Sequence, residues 1–164
     1  MRGAFQGRVW KLGHNIDTDI IIPTQFLALK SVEDMKKYAF HPLRPELANL
    51  MQPGDIIVAG RNFGCGSSRE QAPEILAALK VSCIIAKSYA RIFYRNAFNN
   101  GLLLFENNAL YDCCTEGDQV TVNLKDSQVS LNDQNFSVAS IPEELLQMVE
   151  AGGLVPFMKG KNSK

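Results

Sequence analysis

Gly60-Arg61-Asn62-Phe63-Gly64-Cys65-Gly66-Ser67-Ser68-Arg69-Glu70 is the stretch of this sequence richest in residues that do chemistry. Gly64 and Gly66 let the backbone bring its N–H groups close to a ligand. Ser67 and Ser68 supply hydroxyls. Arg69 supplies a planar fork that fits a carboxylate or phosphate in a bidentate way. The combination describes an anion pocket beside a hydroxyl that acts as a base once deprotonated. The competing reading is a tight turn whose serine merely caps a helix. A P-loop is disfavoured, because the lysine of GxxxxGK[ST] is missing and Arg69 follows the serines. A dinucleotide fingerprint is disfavoured too, because Arg69 stands where the third glycine would fall after Gly64-Cys65-Gly66.

Two other clusters carry polar chemistry. In Asn15-Ile16-Asp17-Thr18-Asp19, two acids lie two residues apart and face the same way if the segment is extended. They can orient or exchange protons in a polar site, or simply form an Asx-turn or helix cap. In Ser88 to Gly101, Arg91 and Arg95 are four apart on one helical face and can meet an acidic ligand or a partner. Phe93, Tyr94 and Phe98 nearby read as core rather than as base-stacking residues, since the chain has no basic excess. His14 and His41 stand alone and read as hydrogen-bonding residues. Cys65, Cys83, Cys113 and Cys114 form no CxxC or CxxH spacing, so no metal site is expected within the chain. Cys83 lies in an apolar run and reads as core; Cys113 and Cys114 read as packing or partly exposed.

The elements around these clusters follow from apolar patterning. Phe5–Leu12 reads as a first strand. Ser31 caps a short helix running to about Tyr38. Ile56–Ala59 is a short β-branched run, hence a buried strand. Arg69–Lys80 has helical spacing, Ser82–Ala86 is a second buried strand, Tyr89–Phe98 a second helix and Gly101–Phe105 a third strand. That alternation predicts βαβ units and a parallel sheet. The serine loop then falls between the carboxyl end of a strand and a helix, where such sheets place ligands. Gln119–Leu124, Gln128–Leu131 and Asn135–Val138 alternate polar and apolar, as half-buried antiparallel strands do. Pro142-Glu143-Glu144 opens a last helix, which Gly152-Gly153 ends.

The 164 residues suit a single domain, 1–164. With 46% hydrophobic and 21% charged residues, the composition excludes disordered, collagen-like and coiled-coil chains. Seventeen basic and seventeen acidic residues give zero net charge. Nothing therefore draws the chain to nucleic acid or an anionic membrane, and nothing opposes self-association of the isolated chain. No apolar leader follows the N-terminal Arg2, and Ile20–Ile22 is among the longest aliphatic runs, so a cytoplasmic location is expected.

Asn15–Asp19 with Ile20–Pro23, Asn62–Glu70, and Ser88–Gly101 stand in this order over nearly the whole chain. In these motifs the chain resembles the small subunits of the 3-isopropylmalate dehydratases, in the aconitase superfamily. The resemblance implies an α/β fold: a swivelling β/β/α domain like the last domain of aconitase, with a mixed sheet, helices and an antiparallel β extension. It implies a separate large subunit carrying a [4Fe–4S] cluster, and a small dicarboxylic hydroxy acid as substrate. The implied reaction interconverts 2-isopropylmalate and 3-isopropylmalate by dehydration and rehydration, in leucine synthesis. Related hydro-lyase subunits, acting on 2,3-dimethylmalate or homoaconitate, and a non-catalytic anion-binding module are the alternatives. Carried over by position, Ser67 is the base, with Ser68 as the other contender. Asp17 assists proton transfer, while Arg69 and Gly66 hold the substrate. Phe26, Leu27, Ala28 and Leu29 match the segment that reads the substrate's variable group, and their apolar character suits an alkyl substituent.

Overall fold

A four-residue run without a polar position, such as Ile56-Ile57-Val58-Ala59, is stable as a strand only when both of its faces are covered. The computed structural model, which describes residues 3–162, covers them. In chain order, β1 (Ala4–Lys11) leads through the single turn α1 (Thr18–Ile21), α2 (Val32–Met35) and α3 (Leu47–Leu50) to β2 (Ile56–Ala59). Then come α4 (Gln71–Ala78), β3 (Cys83–Ala86), α5 (Arg91–Asn99), β4 (Leu104–Glu106) and α6 (Asn108–Cys113). A meander of β5 (Gln119–Asn123), β6 (Gln128–Leu131) and β7 (Gln134–Ser137) follows, and α7 (Glu143–Ala151) and α8 (Leu154–Asn162) close the chain.

The sheet order is β4-β3-β2-β1-β5-β6-β7. From β1 to β4 the pairings are parallel, and from β1 through β5, β6 and β7 they are antiparallel. β1 serves both halves. Its residues Ala4–Arg8 pair with β5, whereas Val9–Lys11 pair with β2. A glycine is needed near the changeover: a Cβ on Gly7 would lie 2.4 Å from the Gly54 carbonyl oxygen. β2 and β3 are buried at every residue, while β5 and β6 alternate. This is the division expected of helix-covered parallel strands and a one-sided antiparallel meander.

Several boundaries differ from the sequence reading. α4 begins at Gln71 rather than Arg69, and α5 at Arg91 rather than Tyr89. In both cases the preceding residues are held by the loops: the Arg69 N–H donates to the Ser67 carbonyl, and the Ala90 N–H to the Phe63 carbonyl. β4 starts at Leu104, not Gly101. Gly101 has φ +84° and closes α5 instead. Asp17-Thr18-Asp19 is not extended. Asp17 caps α1, accepting from the Ile20 N–H, so the two acids diverge. α6 and α8 were not expected. α8 carries Pro156 and Gly160, but the proline falls in its first turn, where a missing N–H costs nothing. Ser31 caps α2 through the Asp34 N–H as its sequence position predicts.

At the end of the sheet away from the serine loop, Asp55 is buried. It accepts from Trp10 Nε1 at 2.7 Å, the Gln52 N–H at 2.8 Å and Arg8 Nη2 at 3.3 Å. Asp55→Ala leaves the first two donors without an acceptor, at about 1–3 kcal/mol each. We expect a total loss of roughly 2–4 kcal/mol by urea denaturation, and a smaller one for Asp55→Asn, which keeps an acceptor for Trp10. Equal losses for the two variants would refute this account.

Candidate active site

The three motifs read from the sequence follow β1, β2 and β3, which are adjacent and parallel. Parallel pairing therefore brings 14–19, 60–70 and 88–96 to one edge of the sheet, at the carboxyl ends of its strands. Hydrogen bonds continue the pairing past the strand ends. Gly60 N–H donates to Gly13 O, Asn15 N–H to Arg61 O, and Gly64 N–H to Ile16 O at 2.7 Å. On the other side Phe63 N–H donates to Ser88 O, Asn62 N–H donates to Ser88 Oγ, and Phe63 bridges Tyr89. His14 is part of this stitching: its Nδ1 accepts from the Arg61 N–H at 2.7 Å.

The result is an open cavity of about 220 Å³. Gly66, Ser67, Ser68 and Arg69 line one wall, and Thr18 contributes from α1. α5 forms the other wall, with Arg91 and Ile92 of its first turn and Asn96 of its second. No side chain caps α5, and the N–H groups of Arg91, Ile92 and Phe93 have no acceptor among the described residues. The partial positive charge of a helix end thus reaches the cavity from α5. The helix that follows the serine loop, α4, begins only at Gln71, beyond the loop.

The two serines are held differently. The Ser67 carbonyl accepts from Thr18 Oγ1 at 2.8 Å and from the Arg69 N–H at 3.0 Å, which fixes that residue's backbone. Ser68 has no such anchor. Both side chains are exposed, and neither hydroxyl is hydrogen-bonded among the described residues. Cys65 is the thiol closest in sequence. Burial pushes its pKa up, and the Asp17 carboxylate adds to this, so it stays a neutral thiol. Cys65 does not line the cavity and the Thr18 hydroxyl is spent on the Ser67 carbonyl, so the serines supply the cavity's unengaged hydroxyls among the described residues.

Arg69 is largely engaged. Nη1 donates to the Ile22 carbonyl and pairs with Asp19, Nη2 donates to Thr24 Oγ1, and Nε has no partner among the described residues. It ties the serine loop to the segment from α1 into Thr24–Phe26. Asp17 sits beside Gly66 but does not line the cavity. Phe26, Leu27, Ala28 and Leu29 do not line it either. Phe26 stacks on Tyr38 at 4.0 Å, Leu27 and Leu29 pack on the core, and Ala28 is exposed. Thr18, Ile92 and Asn96 are cavity residues that the sequence reading did not single out; Thr18 stood inside the acidic motif. Phe93 and Phe98 are buried and Tyr94 half-buried, as a core reading predicts. Among the described residues, no three His, Cys, Asp or Glu side chains gather to hold a metal ion. Cys83 and Cys114 are buried and Cys113 is exposed.

Comparison with known proteins decides the kinship. A 3-isopropylmalate dehydratase small subunit from Lachnospira eligens is 60% identical over 99% of this chain and 98% of its own. The chain belongs to the family of 3-isopropylmalate dehydratase small subunits. An isopropylmalate/citramalate isomerase small subunit from Methanocaldococcus jannaschii is 43% identical over 98% of this chain and 97% of its own. The Aconitase C-terminal domain family matches residues 45–109, from α3 through β4, which include the serine loop and all of α5. The crystal structure of 3-isopropylmalate dehydratase from M. jannaschii superposes with a TM-score of 0.90 at 34% identity, covering 98% of this chain and 96% of that one. The fold of this family is thus the mixed sheet with helices and an antiparallel extension described above. No described helix is long and apolar enough to cross a membrane.

Proposed function

We propose that this chain is the small subunit of a hydro-lyase that interconverts 2-isopropylmalate and 3-isopropylmalate by loss and return of water, in leucine biosynthesis. The observation that carries the proposal is the cavity itself. Two unbonded serine hydroxyls face the uncapped end of α5 across a space of about 220 Å³. That space is smaller than the roughly 300–1,000 Å³ of a complete ligand pocket, as suits half of a shared site. Family membership and the names of the relatives support the same reading.

In this reading the substrate's carbon-bound proton passes to Ser67 Oγ, and its hydroxyl leaves toward the partner. Ser67 is favoured over Ser68 because its carbonyl is anchored twice, and a base must be held in place. A serine acts on a carbon acid only as an alkoxide, so its negative charge must be stabilised. The open N–H groups at the start of α5 meet that need. Arg69 presents its unpaired Nε–H to a substrate carboxylate, oriented by Asp19, Ile22 and Thr24. Asp17 shapes the loop at Gly66. Ile92, 58% exposed on the cavity wall, offers an apolar surface to the substrate's alkyl group, and Ala28, the exposed residue of the segment 26–29, would reach that group only in the assembled site. Among the described residues no three of the cysteines gather at one place. A [4Fe–4S] cluster on a large subunit would supply the Lewis acid for the departing hydroxyl. The cytoplasm is the proposed compartment.

The test is reconstitution. Alone, the chain should turn over nothing; with its cluster-bearing large subunit it should convert 3-isopropylmalate to 2-isopropylmalate, followed through absorbance of the unsaturated diacid. A preference for 2,3-dimethylmalate, citramalate or homoaconitate in the same assay would replace the substrate assignment. Binding of a dicarboxylate by the isolated chain, with no large subunit co-purifying, would favour the anion-binding module.

A further inference from the structure

The substrate class proposed above carries two carboxylates, and the small-subunit side of the site must neutralise the one that faces it. Arg69 is not enough. Its charge is already met by Asp19, so the pair brings direction but no net charge. Ser67, Ser68, Thr18 and Asn96 are neutral. Among the described residues lining the cavity, the one remaining charged side chain is Arg91. It makes no hydrogen bond or ion pair among the described residues, and it stands on the uncapped first turn of α5. A buried carboxylate without a compensating charge is expensive, whereas a guanidinium forms short, charge-assisted bonds to it.

Resting on the dehydratase reading, we propose that Arg91 is a substrate-binding residue that supplies the net positive charge for the substrate carboxylate on this side of the site. Arg69 and Arg91 then divide the work. Arg69 sets the direction of approach and joins the loop to 22–24, while Arg91 provides the attraction. Arg91 also borders a shallow depression formed with Tyr89, Tyr94 and Glu106, but among the described residues it forms no ion pair with Glu106. Arg95, one turn further along the same face, does not line the cavity. It serves as a control of equal charge.

The experiment compares wild type, Arg91→Gln, Arg91→Lys and Arg95→Gln, each reconstituted with saturating large subunit and assayed with 3-isopropylmalate. Loss of a charge-assisted contact predicts a KM for Arg91→Gln raised about tenfold or more, with kcat changed far less. Arg91→Lys should recover part of the loss, because it restores the charge but not the fork. Arg95→Gln should leave KM within about twofold. The KM of wild type should rise with salt more steeply than that of Arg91→Gln. An active wild type with an unchanged KM in Arg91→Gln overturns the proposal alone. So does a variant whose defect is confined to assembly with the large subunit, seen by size-exclusion chromatography and absent at saturation; Arg91 would then be a docking residue. A wild-type complex inactive on 3-isopropylmalate, 2,3-dimethylmalate and citramalate overturns the dehydratase reading, and this inference with it.

Discussion

Ser67→Ala should lower kcat of the reconstituted complex by about 10²–10⁴-fold, the usual contribution of a positioned acid or base. KM and assembly with the large subunit should change little, because the Ser67 hydroxyl bonds to nothing within the described chain and the carbonyl that anchors the loop is retained. Ser68→Ala serves as the companion. It should cost distinctly less, since Ser68 lacks the two backbone bonds that fix its neighbour. The reverse order of effects would move the base to Ser68, and full activity in both single variants and the double variant would remove the serines from the chemistry. Thr18→Val probes the positioning separately. It deletes the bond from Thr18 Oγ1 to the Ser67 carbonyl while keeping the side chain's shape, and should lower kcat without abolishing it. Exchange of the substrate's carbon-bound hydrogen with solvent gives an independent readout. Ser67→Ala should lose it in parallel with turnover while circular dichroism shows the fold unchanged, which excludes a folding defect.

Much of the molecule was legible in one dimension. Ile56–Ala59 and Cys83–Ala86 could be assigned because a run without a polar position has few alternatives at that length. The meander could be assigned because its alternation has period two. The serine loop was found from residue types alone, and parallel topology explains why the three motifs converge: each follows one of three adjacent strands. What was not legible depended on partners far away in the chain. The starts of α4 and α5 were misplaced because Ser67 and Phe63 carbonyls, not local propensity, hold Arg69 and Ala90 outside the helices. Of the two readings of the acidic pair, the helix cap holds for Asp17, whereas the pairing of Asp19 with Arg69, fifty residues on, was not legible. Phe26–Leu29 were correctly seen as apolar, yet most of that surface faces Tyr38 and the core rather than the cavity. The uncapped end of α5 could not be found at all without knowing where α5 begins.

Gly64 and Gly66 offer a second large effect, because they share a backbone conformation and differ in their neighbours. Their φ values are +82° and +90°, so alanine at either position bears the left-handed penalty of roughly 1–2 kcal/mol. A Cβ on Gly66 would meet Asp17 Cβ at 3.4 Å, an ordinary contact, whereas one on Gly64 would lie 2.2 Å from Cγ of the Phe93 ring. Phe93 is buried, and its ring packs against Phe63 at 5.3 Å between centroids, so it has little room to retreat. Overpacking of this kind adds about 1–3 kcal/mol. Gly64→Ala should therefore lose about 2–5 kcal/mol by urea denaturation and Gly66→Ala about 1–2 kcal/mol. Activity should separate them further. Displacing Phe93 displaces the first turn of α5, with its open N–H groups and Arg91, and a misplacement of about 1 Å can cost roughly 100-fold. Gly66→Ala leaves α5 where it is and should mainly affect the serine loop. If the two variants lose equal stability, the Phe93 contact does not hold the loop against α5. If Gly64→Ala is destabilised but keeps near-normal kcat/KM, the first turn of α5 is not part of the catalytic machinery.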